Sequence, residues 1–215
     1  MSDPAKPSAG DFRSVVRSTG GLQPWRRVFH AACGLGIIAI VEYSGFSRSI
    51  SLLLFGAGIV ACLILDWVRL SVPNANFVFF RWFAALASPR EARRIASSTW
   101  FVGGVFTTLL IAPAHLFVPS VLVLSLADPA ASVVGRLWGR HALGKGSREG
   151  TVAFFLVAGV VTFPFVGLPS ALIAACVVAI FEVLPTGIDD NLTVPVVTAL
   201  VLWLVESVGR VLVAA

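Results

Sequence analysis

The chain has 215 residues, 57% of them hydrophobic and only 13% charged, with a mean hydropathy of +0.91. A soluble domain carries roughly a quarter charged residues, so this composition excludes an ordinary water-soluble enzyme and specifies a polytopic membrane protein. The net charge of +5 would suit a nucleic-acid binder, but the cations are placed for membrane topology instead, and no nucleic-acid partner is expected.

Residues 1–24 read as a mobile, partly basic polar tail without the apolar core of a signal peptide. Residues 25–215 read as a single helical transmembrane domain. Trp25-Arg26-Arg27 suits an anchor at a membrane boundary, and a first span follows over residues 28–44. A second span, 50–65, ends at Asp66-Trp67. The connection 66–99 is long and basic. Its apolar stretch 77–83 contains Arg81 and falls short of the ~20 residues a crossing needs, so it is expected to lie along the headgroups or re-enter. The third span is 100–117, and Pro119 opens the fourth, which contains Asp128. The fifth, sixth and seventh are 151–167, 170–184 and 192–209.

The fold class is therefore all-α, with about seven transmembrane helices and a cytoplasmic N-terminus. This division leaves only Arg48 and Arg210, of the 16 basic residues, off the inner side, as the positive-inside rule requires. The outer loops carry almost no reactive side chains, so any active site of this integral membrane protein faces the cytoplasm. Cys33, Cys62 and Cys176 all fall in apolar runs without paired spacing. They read as small buried hydrophobes, not as a disulfide or metal site.

Chemistry concentrates in two places. Asp128-Pro129 sits inside an apolar run, where an acid is costly and marks a functional site by default. Aspartate and proline also start helices well, so a helix broken or restarted at membrane depth is expected. Such breaks line a cavity or a protein-buried site. Downstream, Ala131, Gly135 and Gly139 share one helix face, allowing close approach of a ligand or simply of another helix. Arg136 and Arg140 line an adjacent face. The glycine-rich segment that follows, with Lys145 and Arg148, could cradle polyphosphate; topology signalling explains the same cations. Ser147 is placed to cap the fifth span, and Glu149 suits its first turn.

The second constellation is Glu182 to Pro195, where proline and glycine break the chain beside Glu182, Asp189, Asp190 and Asn191. Clustered oxygen donors, joined by Asp128, suit Mg²⁺ held between carboxylates and substrate phosphates. A polar turn capped by Asp190 or Asn191 is the plainer account, but it explains Glu182 poorly. His30, one helical turn after Arg26 and Arg27, and the pair Arg90-Glu91 are further candidates for headgroup or phosphate contacts, against the simpler roles of interfacial anchor and solvated charge run. Gly139, Gly144 and Lys145 imitate the start of a P-loop. Gly146 stands at its Ser/Thr position and no strand precedes it, so that fold is rejected.

Together these residues resemble the membrane-embedded, CTP-dependent lipid-alcohol kinases: dolichol kinase, phytol kinase and the CTP-dependent diacylglycerol kinase. The family's nucleotide motif, D-x-x-A-x-x-x-G-x-x-x-G followed by lysine, serine and E-G, is matched by Asp128, Ala131, Gly135, Gly139, Lys145, Ser147, Glu149 and Gly150. Its later elements are matched by Glu182, Pro185, Asp190, Asn191 and Pro195. One departure is Gly146, which separates Lys145 from Ser147. The resemblance implies transfer of the γ-phosphoryl group of CTP to the hydroxyl of polyprenol, phytol or diacylglycerol. It also implies Mg²⁺ on Asp128 and Asp190, with Asn191 and Glu182 as further donors, and phosphates on Arg136, Arg140 and Lys145. Asp128 or Glu182 would take the hydroxyl proton. A second enzyme reading is CDP-lipid synthesis by a phosphatidate cytidylyltransferase. A CDP-alcohol phosphotransferase fits worse, because repeated aspartates at four-residue spacing are missing. A transporter also uses broken helices, but the polar groups here collect on one face.

Overall fold

The structure is a computed structural model, and residues 9–214 are described. Lys6, counted above with the inner cations, lies outside them. Among the described residues the chain is all-α apart from one small hairpin. Helix α1 (Ala9–Ser18) falls within the segment expected to be a mobile tail, and Phe12 stacks edge-on against Phe80 at 5.9 Å. Then come α2 (Pro24–Tyr43), α3 (Arg48–Ser71), α4 (Pro73–Trp82), a 3₁₀ turn (Pro89–Arg93) and α5 (Ser97–Ile111). Helices α6 (Ala114–Leu122) and α7 (Asp128–Leu137) are joined by a π-helical turn, Val123–Ala127. The hairpin pairs β1 (Ala142–Leu143) with β2 (Gly146–Ser147), and α8 (Arg148–Val166), α9 (Leu168–Val183) and α10 (Asp190–Ala214) complete the chain.

Among the described residues, four helical stretches are long and apolar enough to cross a membrane: Arg48–Ser71, Ala114–Leu137, Arg148–Val166 and Asp190–Leu212. Helices α5 and α9 are apolar but shorter, and α2 has 20 residues. The chain is thus an all-α protein of membrane character, with four clear spans by length and composition.

Its packing supports that reading. In α9 the buried face is small (Ala171, Ala174, Ala175, Ala179), while Leu172, Ile173 and Ile180 face outward. Outward-facing Leu53, Val160 and Val211 are each about 70% exposed (73%, 70% and 68%). A bilayer supplies no hydrophobic force between helices, so helices pack through small residues and leave bulky ones to the lipid. The core lies between α5, α6, the π turn, α8 and α9, around Phe101, Val105, Phe117, Leu124, Phe154 and Val178. Buried Ser120, Thr162 and Thr198 donate back to carbonyls one turn earlier, at 2.7 Å each, so these hydroxyls need no partner across the bundle.

Several expected boundaries move. The second span does not end at Asp66 but runs on to Ser71. Residues 112–113 break the expected third span, so Leu116 and Phe117 open the next helix. The stretch 77–83 forms part of α4, a ten-residue helix. Most informative is Asp128, which starts no new helix: its φ and ψ are −62° and −50°, and the chain passes through it by the π turn without a break. Proline lacks the N–H that a helical register would use at position 129, and the chain passes this point in the wider π turn. Cys33 and Cys62 are half-buried, whereas Cys176 is exposed on α9, contrary to the expectation for all three.

Candidate active site

One large cavity, of about 1040 Å³, opens among the ends of α2, α5 and α10, the 3₁₀ turn and one face of α7. Helical spacing explains the α7 face. Asp128, Ser132 and Arg136 recur every four residues and all line the cavity. The small residues take the other side. A Cβ on Gly150 would lie 2.9 Å from the Ala131 carbonyl, and one on Gly139 would lie 2.8 Å from Ser147 Oγ. Ala131, Gly135, Gly139 and Gly150 therefore form a close-packed seam between α7 and the start of α8, behind the cavity wall.

That seam sets the hairpin. Ser147 caps α8, accepting the Gly150 N–H at 3.1 Å, and Glu149 accepts a bond from His141 Nδ1 at 2.7 Å. The glycine-rich stretch after α7 thus forms a fixed hairpin. Gly144 turns at φ +53°, pressed on the C-terminal end of α9, and the Lys145 N–H donates to the Val183 carbonyl at 3.0 Å. With Gly146 paired to Leu143 in the strands, Lys145 stands at the hairpin tip, where its ammonium donates to the Asp190 carboxylate. The interposed Gly146 carries Lys145 to the acids.

Asp128, Glu182 and Asp190 converge from three elements, and one carboxylate oxygen from each lies within 4.8 Å of the others. Asp190 is free to join them because Asp189, and not Asp190 or Asn191, caps α10: its carboxylate accepts the Asn191 N–H at 3.0 Å. Burial holds the Asp189 carboxyl above its ordinary pKa, partly offset by that hydrogen bond. The buried Asn191 side chain donates to the Ser97 carbonyl at 3.3 Å, tying α10 to α5.

The opposite wall is cationic. Arg26 donates to Ser97 Oγ at 2.6 Å and pairs with Glu91 at 3.4 Å, while Arg27 donates to Ser132 Oγ at 2.7 Å. Arg136 donates to the Gly21 carbonyl. These three arginines line the cavity, and the Arg27 Nε is buried without a hydrogen-bond acceptor. Glu91 is buried, not part of a solvated charge run, and burial raises its pKa against the lowering effect of Arg26 and Ser97. Arg90 lines the same cavity. Of the residues singled out from sequence, Glu182, Arg140 and Glu149 do not line the cavity, although Glu182 meets Asp128 and Asp190; Ser147 and the small residues sit in the seam behind it, and His30 lies on its wall.

Sequence reasoning missed the support beneath the Ser88–Ser97 wall. Asp66 and Arg69, each about 4% exposed (4% and 4%), pair at 2.6 Å inside α3. Asp66 also accepts the Ala96 N–H at 3.0 Å and the Thr99 hydroxyl at 2.6 Å. Arg69 donates to the Glu91 and Arg94 carbonyls, both at 2.6 Å. An acid and a base three residues apart in an apolar helix were the available signal.

Fold and site together define a polytopic α-helical membrane protein in which three carboxylates converge beside a polar cavity lined by a cluster of arginines. Three known proteins match the chain, each a CTP-dependent diacylglycerol kinase 1. That of Schizosaccharomyces pombe is 26% identical over 201 residues, covering 84% of this chain and 92% of the relative. Those of Eremothecium gossypii (31%) and Saccharomyces cerevisiae (27%) match over 63% and 66% of this chain, which spans 42% and 50% of their lengths. No family model matches, and no solved structure does. The resemblance to the CTP-dependent lipid kinase family holds over most of the chain.

Proposed function

We propose that the protein is an integral-membrane kinase that moves the γ-phosphoryl group of CTP to the hydroxyl of a lipid alcohol, with diacylglycerol the first acceptor to test. The observation that carries this reading is the convergence of Asp128, Glu182 and Asp190 within 4.8 Å, with Asp128 and Asp190 lining one cavity together with Arg26, Arg27, Arg136 and Lys145. Phosphoryl transfer needs little covalent chemistry from the protein. Positioning and charge neutralisation supply most of the catalysis.

Three hard carboxylate oxygens at this spacing fit Mg²⁺, with Asn191 beside them as a neutral oxygen donor. When bound there, the ion would neutralise charge on the transferring phosphate and its leaving group. The arginine wall and Lys145 hold the nucleotide phosphates, and the unpartnered Arg27 Nε–H is a donor waiting for such an acceptor. Lys145 already neutralises Asp190. Asp128 and Glu182 are therefore the carboxylates left to take the proton as the acceptor oxygen bonds to phosphorus and CDP leaves. The lipid hydroxyl reaches this point from the bilayer, and the site faces the cytoplasm, where CTP is available.

Purified protein in detergent, Mg²⁺ and γ-labelled CTP or ATP, offered diacylglycerol, phytol and polyprenol separately, provides the test. Label should enter one lipid with CTP and be lost with EDTA or with Asp128→Asn. Transfer of α-label to phosphatidate, with no γ-label in any alcohol, would replace the kinase reading by CDP-lipid synthesis.

A further inference from the structure

The π turn leaves one carbonyl without its donor. In a π-helical register the carbonyl of residue i is met by the N–H of residue i+5. For Leu124 that residue is Pro129, which has no N–H. Leu124 is fully buried, where an orphaned carbonyl is costly. The His30 Nε2 lies 2.9 Å from this oxygen. A carbonyl can only accept, so Nε2 carries the proton. Asp128 Oδ2 is 3.9 Å from the same nitrogen, beyond a hydrogen bond.

The rest of α2 is shaped for this contact. Gly34, one turn after His30, lies against Ser125, and a Cβ there would come within 1.7 Å of Ser125 Oγ. Phe101 of α5 packs edge-on against the His30 ring, with centroids 4.8 Å apart. Helix α2 thus docks on the π turn at two adjacent points.

We infer that His30 is a positioning residue. It replaces the backbone donor that Pro129 removes, and so fixes the π turn that presents Asp128 to the cavity. Its role is to hold a catalytic carboxylate in place, not to touch phosphate. The catalytic part of this inference rests on the kinase reading above; the structural part does not.

The test is a double-mutant cycle between His30→Ala and Pro129→Ala, read in thermal unfolding and in kcat and KM for CTP. An alanine at 129 restores an N–H for Leu124, making His30 dispensable. His30→Ala alone should lower the unfolding temperature and cut kcat about tenfold or more, with KM for CTP within about twofold. In the Pro129→Ala background the same change should have little effect on either. His30→Gln, whose amide can donate to the same carbonyl, should keep most of the wild-type kcat. Additive losses in the cycle, or a raised KM for CTP with kcat kept, would overturn the inference. If the wild-type protein transfers no phosphate at all, the kinase reading fails, and the unfolding cycle still decides whether His30 and Pro129 share the Leu124 carbonyl.

Discussion

Replacing Asp66 by asparagine should loosen the cavity wall from beneath, without touching any residue that lines it. One carboxylate oxygen of Asp66 faces Arg69 Nε at 2.6 Å, and the other accepts from both Ala96 and Thr99. Asparagine has one oxygen. If it serves Ala96 and Thr99, its NH₂ group points at a buried guanidinium; if it serves Arg69, two donors meet an amide. Either way the Arg69 charge is left unpaired at 4% exposure. Breaking a buried ion pair in this manner costs about 3–5 kcal/mol. At roughly 2–4 °C per kcal/mol for a chain of this size, the thermal midpoint in detergent should fall by roughly 6–20 °C. Thr99→Val, which removes only a hydroxyl, should cost about 1–2 kcal/mol and shift the midpoint correspondingly less. Because Arg69 also holds the Glu91 and Arg94 carbonyls, KM for CTP should rise in Asp66→Asn well below its melting temperature. A midpoint within about 2 °C of wild type, measured by thiol-reactive dye or static scattering, would refute the claim that this network supports the site.

The remaining predictions concern the site itself. Gly144→Ala places a Cβ 2.0 Å from the Val183 carbonyl at a φ of +53°; it should lift the hairpin off α9 and raise KM for CTP about tenfold or more, since Lys145 is displaced. Ser147→Ala removes the α8 cap and should cost about 1 kcal/mol, visible as a small drop in melting temperature with kcat largely kept. Glu91 has a raised folded pKa because it is buried, so the folded state holds its proton more tightly than the unfolded chain does. Its contribution is therefore most favourable below the ordinary carboxylate pKa and is lost as pH rises through the folded value. The melting temperature of Glu91→Gln relative to wild type should climb as pH rises from acidic to neutral; a difference that stays flat would count against the buried assignment.

The sequence by itself determined the class of the protein and the identity of its acids. Low charge and long apolar runs follow from the solvent the helices must meet. An acid in such a run is conspicuous because lipid makes it costly; hence Asp128 and Glu182 were legible one by one, and Asp190 was legible among the oxygen donors at the helix break that follows. Lys145 and the small-residue stripe were legible as well, but not their division of labour. Whether a glycine faces ligand or helix depends on what packs against it, and the seam between α7 and α8 exists only in the tertiary structure. The same holds for Arg26 and Arg27, whose partners Glu91 and Ser132 are distant in sequence. Asp128-Pro129 read locally as a helix start, because proline removes one N–H; the wider π register, with His30 donated from another helix, resolved that deficit without a break. Local chemistry thus names which groups cannot be left alone in a membrane. Only the fold decides which neighbour satisfies each of them, because hydrogen bonds and charge pairs act over a few ångströms and the partners are brought that close by helix packing.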